Sequence, residues 1–455
     1  MLLRWWWAGV VVLLAGCATP FDNAPLNRPS SAVAAPPLPP DDDHEQVIGL
    51  SLSGGGLRAA AFALGVAQEL AAPAHDVYGD VRFISSVSGG SLAAAYLALE
   101  GRPGLESFRG RVLLRDFERD LRLSLWSPGN LVRLLSGGLN DRSNLGRVLD
   151  QDVFHGATFA TLQARQVPEV WINATDLFNR TPFPFVPEVF NALCSDLPSL
   201  RVSEAVAASM AVPLAFAPVV LKTWPEHCTE PLPPWAARAA QDKGGVTAGL
   251  LSSVARAVAN YRNPERMRFV KLADGGLTDN QGLSSILVAR AAAGTPHDPI
   301  TEANAVRLRR LLFLVVDAGR PPSGDWALER DGPSGVDVGL AAADAAIDSA
   351  TRLSVQAFRE EMARWRDQIV RWRCALPAER VRALLPPGRA WRCDDLRFDI
   401  DVLSFEGLPA ALEARLRAMP TRLVLPAADV DAAIEAGRQA AQGSAALARY
   451  RRPLP

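Results

Sequence analysis

Ser88 stands where a strand pattern gives way to two glycines and a helix pattern. Apolar residues at 81–85 predict the strand, and residues 89–99 predict the helix. A turn between two such elements places a hydroxyl at a helix N-terminus, where unpaired N–H groups stabilise developing negative charge. Ser86 occupies the position where nucleophile turns usually have glycine, and serine is small enough for the turn. Ser88 is therefore a candidate nucleophile, although many Ser/Gly turns carry no chemistry.

Three consecutive glycines, Gly54, Gly55 and Gly56, separate a buried strand pattern at 46–52 from a helix pattern at 57–70. Glycines let the backbone turn several N–H groups toward one point. Such donors can bind the oxyanion of a tetrahedral intermediate, an effect worth roughly 3–4 kcal/mol per donor in other enzymes. They can also bind a phosphate. The residues that would complete a Walker A loop or a dinucleotide motif are absent. Two interpretations of the glycine run therefore remain: an oxyanion hole, or a tight turn without a chemical role.

Asp274 follows a strand pattern at 269–273 and precedes Gly275 and Gly276. An acid at a strand's carboxyl end can point into a crevice above a sheet and act as a base. It can also simply cap its own turn. Asp279 is a second candidate for the base. None of the five histidines ends a clear strand, so a Ser–Asp pair is more economical than a triad; they are His44, His75, His155, His227 and His297.

Strand and helix patterns alternate along most of the chain, which predicts an α/β sandwich with a mostly parallel sheet. We expect a catalytic domain at residues 46–325 and a mostly helical C-terminal extension at 326–455, packed on that domain. Further strands are expected at 170–174, 311–316 and 398–403, and further helices at 108–126, 246–261 and 340–372.

The N-terminus predicts export. Residues 1–16 combine one cation with an apolar run too short to span a bilayer, as in a secretory signal peptide. Leu14-Ala15-Gly16-Cys17 resembles the lipobox of bacterial lipoproteins, which implies acylation of Cys17 and durable membrane attachment. We therefore expect a bacterial envelope protein, lipid-anchored at the outer membrane and facing the periplasm. The Pro/Ala-rich residues 17–45 would form a tether.

Four further cysteines suit an oxidising compartment by their even number. Proximity favours Cys194–Cys228 and Cys374–Cys393, one of three possible connectivities, and free thiols remain an alternative. Their spacing is not that of a zinc site. The net charge is −1, which argues against a nucleic-acid partner.

The three chemical motifs occur in one order along the chain: Gly54-Gly55-Gly56-Leu57-Arg58, then Ser86-Val87-Ser88-Gly89-Gly90, then Asp274-Gly275-Gly276. In order and chemistry they resemble the patatin-like phospholipases and the related cytosolic phospholipases. Residues 173–176 and 205–219 are similar to further family segments. The resemblance covers about residues 46–285.

The resemblance implies a patatin-like three-layer α/β/α sandwich with a mostly parallel central sheet and added helices. It implies that Ser88 attacks an ester carbonyl while Asp274 takes its proton. Gly54, Gly55 and Gly56 would form the oxyanion hole, with the amides of Gly55 and Gly56 as donors. Arg58 would contact a lipid phosphate, unless it only forms an ion pair that stabilises the loop. Neither metal nor cofactor would be needed.

Three functions compete. The first is phospholipase A or lysophospholipase activity on a membrane lipid. The second is a thioesterase or broad carboxylesterase with the same Ser–Asp pair. The third is a catalytically silent envelope lipoprotein, against which the joint presence of Ser88 and Asp274 argues.

Overall fold

The computed structural model describes residues 24–30, 44–121, 142–165, 168–213, 215–239, 245–319, 328, 330, 332–386 and 388–454. The expected signal peptide, the expected acylation site Cys17 and most of the expected tether lie outside these residues. Residues 24–30 do not extend away from the domain. Asn27 is buried and donates to the Ser195 hydroxyl at 2.8 Å, and the N–H of Leu26 donates to the Val220 carbonyl at 3.1 Å.

One eight-stranded sheet forms the centre of the molecule, in the order β5-β6-β3-β2-β1-β7-β8, with β4 paired to β3 outside this path. The strands are β1 (Gln46–Leu52), β2 (Val81–Val87), β3 (Glu169–Asp176), β4 (Thr181–Pro184), β5 (Val219–Lys222), β6 (Phe269–Asp274), β7 (Arg310–Val316) and β8 (Arg397–Leu403). Pairing is parallel from β3 through β2, β1 and β7 to β8, whereas β6 is antiparallel to β3 and β5 is antiparallel to β6. The sheet is therefore mostly parallel, as the alternating pattern predicts, with an antiparallel edge that it does not predict.

Helices cover both faces of this sheet. They are α1 (Gly56–Leu70), α2 (Gly89–Glu100), α3 (Arg102–Phe108), α4 (Phe117–Asp120), α5 (Arg142–Leu149), α6 (Phe159–Gln163), α7 (Pro187–Leu193), α8 (Val202–Ser209), α9 (Pro234–Ala239), α10 (Gly245–Tyr261), α11 (Gly276–Asp279), α12 (Ser284–Ala292), α13 (Glu302–Arg307), α14 (Gly335–Ala375), α15 (Ala378–Leu384), α16 (Ala410–Ala418), α17 (Ala427–Gln442) and α18 (Ala445–Tyr450). Successive residues of β7 alternate between two apolar clusters, so Leu312 and Leu314 pack with α1 and α17 while Phe313 and Val315 pack with α12 and α14. Every residue of β7 is buried, as expected for a parallel strand covered on both faces. The result is a three-layer α/β/α sandwich.

The C-terminal region is part of this sandwich. Strand β8 pairs with β7 along its whole length, and α17 crosses α1 closely. Gly65 and Gly437 lie at that crossing, where a Cβ on either would overlap a backbone carbonyl of the other helix. Residues 326–455 therefore contribute the strand expected at 398–403 and a helix, α17, that covers the sheet.

The long helix expected at 108–126 is interrupted. Helix α3 ends at Phe108, a π-helical turn spans Arg109–Leu113, and α4 begins only after Asp116, whose carboxylate accepts from the N–H of Arg119 at 2.9 Å. A side-chain cap of this kind starts a new helix.

Within the described residues, no helix is both long enough and apolar enough to cross a bilayer.

Candidate active site

Ser88 lies in the turn between β2 and α2, with φ 52° and ψ −122°. A positive φ is strained for a residue with a Cβ, and such strain recurs at functional turns. The turn is packed tightly against the end of β1 and the start of α1. A Cβ on Gly89 would overlap the carbonyl oxygen of Gly56, and one on Gly90 would overlap that of Leu52. The two glycines that follow Ser88 are therefore required by close packing.

The glycine loop that precedes α1 lies against this turn. Gly55 and Gly56 have φ 139° and 61°, conformations that favour glycine. Their N–H groups have no acceptor within the described part of the chain. By contrast, the N–H of Gly54 donates to the Asn280 carbonyl at 3.0 Å. The N–H of Gly54 is therefore not available to an oxyanion, whereas the N–H groups of Gly55 and Gly56, the two expected donors, remain available.

Asp274 ends β6 at the same height in the sheet as the end of β2, although β6 runs in the opposite direction to β2. Val87 of β2 pairs with Asn173 of β3, and Asp274 pairs with Ala174, the next residue of β3. In a parallel arrangement, the carboxyl ends of the two strands would meet at one edge of the sheet. The structure brings Ser88 and Asp274 together differently, because β6 is antiparallel and stops in line with the nucleophile turn.

The carboxyl group of Asp274 is almost fully buried, at 7% exposure. Burial raises its pKa from 3.8 to about 6, and the N–H of Gly276 and the hydroxyl of Ser88 lower it by a smaller amount. Oδ1 accepts from the Gly276 N–H at 2.8 Å. Oδ2 is buried and has no hydrogen bond of normal geometry with a described residue, so the nearby Ser88 hydroxyl acts on the carboxyl without forming a well-aligned bond. No histidine is among the groups that shift this pKa.

Ser209, at the end of α8, connects the elements that carry the two side chains. Its hydroxyl accepts from the Ser88 N–H at 2.8 Å and donates to the Asn173 carbonyl at 2.6 Å. Its own carbonyl accepts from the N–H of Gly275 at 3.2 Å. Ser209 lies in the family-like segment 205–219, and nothing local in the sequence indicates these contacts.

Asn173 fixes the end of β2 from the neighbouring strand. Its side-chain amide donates to the Ser85 hydroxyl at 2.9 Å and to the Ser86 carbonyl at 3.0 Å, and its Oδ1 accepts from Ser285 at 2.6 Å. The carbonyl of Asp274 is held in turn by the Thr175 hydroxyl at 2.9 Å. The end of β2 and the acid are thus both held by β3, through Asn173 and Thr175.

The Arg58 guanidinium is only 1% exposed and donates to two backbone carbonyls, those of Met419 and Ala318. Its burial leaves no surface for a substrate phosphate, so the expected phosphate contact is not supported. The contacts are with neutral carbonyls of later segments, which gives Arg58 a structural role.

Asp279 is also buried, and its carboxylate caps the chain that follows. Oδ1 accepts from the N–H of Gln281 at 3.1 Å, and Oδ2 accepts from the N–H of Ser284 at the start of α12. Both oxygens therefore have backbone partners, whereas Oδ2 of Asp274 does not. This difference favours Asp274 over Asp279 as the base.

Two disulfides join Cys194 to Cys228 and Cys374 to Cys393, which is the connectivity that proximity favours. The first links the end of α7 to the chain after β5, and the second links α14 to the segment before β8. Among the described residues, no group of three or more His, Cys, Asp or Glu is arranged to hold a metal ion.

The family model of the patatin-like phospholipases matches residues 50–286, more than half of the chain. The chain belongs to the patatin-like phospholipase family. The matched region contains the glycine loop, Ser88 and Asp274, and membership supports lipid acyl hydrolase activity.

Human GIVD cytosolic phospholipase A2 is a similar solved structure, with 12% identity and a TM-score of 0.35. The match covers 59% of this patatin-like chain and 45% of the human protein, so the chain spans less than half the length of that protein. A comparison with curated proteins gave no match.

Proposed function

We propose that this patatin-like protein is a serine lipid acyl hydrolase of the phospholipase A or lysophospholipase type. Ser88 is the nucleophile, Asp274 is the only side-chain base, and the amides of Gly55 and Gly56 form the oxyanion hole. The observation that carries the proposal is the carboxyl of Asp274, which is buried beside the Ser88 hydroxyl with a raised pKa and one oxygen left unbonded. A base poised near neutral pH is what a dyad without histidine requires.

The reaction follows from this arrangement in two steps. Oγ of Ser88 attacks the ester carbonyl carbon as its proton passes to Oδ2 of Asp274. The oxyanion accepts hydrogen bonds from the two glycine amides, and the positive end of the α2 dipole favours the same charge. The tetrahedral intermediate collapses, and the alcohol leaves with the proton held by Asp274. A water molecule then gives a proton to Asp274 and attacks the acyl-enzyme. The second tetrahedral intermediate collapses as Asp274 returns that proton to Oγ of Ser88, and the fatty acid leaves.

A fluorophosphonate probe tests the nucleophile directly. We expect mass spectrometry to find the probe on Ser88 of the folded protein and esterase activity to fall to background in Ser88→Ala. Ser253→Ala is the matched control, because Ser253 is a serine on α10 whose hydroxyl bonds only within its own helix. An active Ser88→Ala variant, or a folded wild type that resists the probe, would overturn the dyad.

Substrate preference separates phospholipase from general esterase activity. We expect turnover of phosphatidylglycerol vesicles or lysophospholipid micelles to exceed turnover of short-chain p-nitrophenyl esters and acyl-CoA at equal concentration. Faster turnover of the thioester or the soluble ester would favour the thioesterase or carboxylesterase alternative.

We also propose that Cys17 is acylated and anchors the protein in the outer membrane, facing the periplasm. The lipobox-like sequence supports this, as do the two disulfides, which suit an oxidising compartment. Metabolic labelling with palmitate in a bacterial host should mark the wild type and fail in Cys17→Ser. Unlabelled wild type in the membrane fraction would refute the anchor.

A further inference from the structure

A cavity of about 600 Å³ lies beside β3, β4, α10 and α12, and neither Ser88 nor Asp274 lines it. Its size falls within the roughly 300–1,000 Å³ typical of small-molecule sites. Aliphatic and aromatic side chains form most of its wall, and four of the rings belong to Trp171, Phe183, Trp235 and Tyr261. The cavity is therefore a second pocket, separate from the proposed reaction centre.

The charges on its wall are unbalanced. Four of the described lining residues are acids, Glu169, Glu188, Glu230 and Asp298, and one is an arginine. That arginine, Arg262, directs its guanidinium to the backbone carbonyls of Ala192, Asn191 and Glu230 rather than to an acid. The wall thus offers negative charge to any ligand that enters.

Two of these acids, Glu169 and Glu188, line the same mostly apolar cavity. Burial raises the pKa of Glu169, and the neighbouring charge of Glu188 raises it further. Burial also raises the pKa of Glu188, although this side chain keeps exposed surface, as expected on the wall of an open cavity. Glu169 accepts one hydrogen bond, from the Trp171 indole at 2.8 Å. No lysine or arginine is among the groups that shift either carboxyl.

The structure also has a buried hydroxyl group beside the cavity that lacks a hydrogen-bond partner. Thr181 begins β4 and is 1% exposed, and its Oγ1 has no hydrogen-bond partner among the described residues. Buried polar groups in folded proteins almost always have a partner, so an unpaired one beside a cavity favours a ligand with a polar head.

We propose that this cavity binds a single-chain amphiphile with an ammonium head group. A cation would relieve the repulsion between Glu169 and Glu188, and the faces of the surrounding rings attract ammonium groups. The apolar remainder of the wall would accommodate the alkyl chain. A neutral amphiphile would leave the carboxyl pair uncompensated, and an anionic one would add repulsion.

Isothermal titration calorimetry with three ten-carbon probes below their micelle concentrations tests this. We expect decylammonium, whose N–H groups can also donate to the Thr181 hydroxyl, to bind the full chain with 1:1 stoichiometry, and decyl maltoside and decanoate to bind at least about tenfold more weakly, a difference of ~1.4 kcal/mol. The Ser88→Ala variant should bind identically, so the outcome does not depend on the proposed hydrolase activity.

Two variants locate the site. Glu169→Gln/Glu188→Gln should lose about tenfold or more in affinity for the cation, while Glu265→Gln, an exposed acid outside the cavity, should bind as the wild type does. Ala292→Trp places a bulky ring in the cavity from α12 and should abolish binding while fluorophosphonate labelling of Ser88 persists. Equal affinity for the cationic and neutral probes, or unchanged cation binding in Ala292→Trp, would overturn the proposal.

Discussion

The backbone N–H of Ser88 donates to the hydroxyl of Ser209 at 2.8 Å, across 121 residues of sequence. The same hydroxyl donates to β3 through the Asn173 carbonyl, and the Ser209 carbonyl receives the N–H of Gly275. One residue therefore fixes the strained nucleophile turn and the turn after the acid relative to each other. Because reaction requires sub-ångström positioning of Ser88 and Asp274, this link is expected to affect rate more than binding.

Ser209→Ala should lower kcat roughly 10–100-fold with KM little changed, because a small misplacement of the reacting groups slows chemistry. The rate of fluorophosphonate labelling should fall by a similar factor. Ser203→Ala is the matched control, since Ser203 is a buried serine at the start of the same helix whose hydroxyl bonds Asp150 at 3.3 Å.

Equal losses of kcat in Ser209→Ala and Ser203→Ala would show that both substitutions act only by destabilising α8. A Ser209→Ala enzyme whose kcat matched the wild type would remove Ser209 from the positioning of the site.

Hydrolysis should follow the ionisation of Asp274. Burial raises the pKa of this carboxyl to about 6, and only the carboxylate can accept the Ser88 proton. We expect kcat/KM for a soluble ester to rise about tenfold per pH unit below pH 6 and to level off above it. A profile measured from pH 4.5 to 8.5 checks this, and activity that is flat or falls across pH 5–7 would exclude Asp274 as the base.

The same carboxyl should lower the stability of the wild type at neutral pH. Its pKa is higher in the folded protein than the reference 3.8, so the folded state binds more protons between pH 4 and 6. Unfolding free energy therefore falls as pH rises through that window, and the cost is complete above about pH 6. Asp274→Asn removes this cost and should raise the free energy of unfolding by about 1–3 kcal/mol at pH 8, with little effect near pH 4.

Urea denaturation of wild type and Asp274→Asn at both pH values measures the difference. We expect Asp274→Asn to be inactive, and to be more stable than the wild type at pH 8 but not at pH 4. A variant that is less stable at pH 8 would show that the carboxylate makes favourable contacts in the folded protein.

Gly54→Ala should disrupt the loop by overlap with one side-chain atom. A Cβ at this position would meet Oδ1 of Asn280, and it would lie 3.3 Å from Cβ of Ser88. We expect a loss of about 1–3 kcal/mol of stability from overpacking, together with reduced activity. Because the obstacle is the end of a side chain, Gly54→Ala/Asn280→Ala should recover much of the stability.

Gly79→Ala is the control for this pair, since no atom lies within 4 Å of a Cβ at position 79. The measurement is the thermal unfolding of the wild type, Gly54→Ala, Gly54→Ala/Asn280→Ala and Gly79→Ala, compared by their unfolding temperatures. A double variant no more stable than Gly54→Ala would show that backbone conformation, and not Asn280, requires glycine at 54.

Residues around Ser88 and Asp274 were predictable because local patterns define them. Val81–Val87 is an apolar strand followed by small residues, and Gly54 to Gly56 form a run that has few alternatives to a tight loop. These patterns also gave the right sheet class, since β1 is mostly apolar and β7 is apolar throughout after Arg310. The patterns therefore predicted which segments form strands, but not the direction in which each strand runs in the sheet.

Other features depend on contacts that sequence spacing does not encode. Nothing in Phe269–Asp274 indicates that β6 runs antiparallel to β3, because strand direction is set by pairing and not by composition. The short strands β4 and β5 contain too few residues to show periodicity. The family resemblance implies a phosphate contact for Arg58 and leaves a structural role open. Its partners Met419 and Ala318 come from segments more than 250 residues away, so the sequence around Arg58 cannot decide between the two roles.

The glycine loop is braced by the distant end of the chain. The N–H of Leu57 donates to the Arg422 carbonyl at 3.0 Å, and a Cβ on Gly56 would lie 2.5 Å from the same oxygen. A recombinant fragment cut at residue 286, where the family match ends, would lack this brace along with β7 and β8. It would also expose an unpaired edge of β1, which invites aggregation. Crystallisation screens and directed-evolution libraries for this protein should therefore keep the chain through at least Tyr450. A fragment that ends at residue 286 lacks the segment that holds the glycine loop in place.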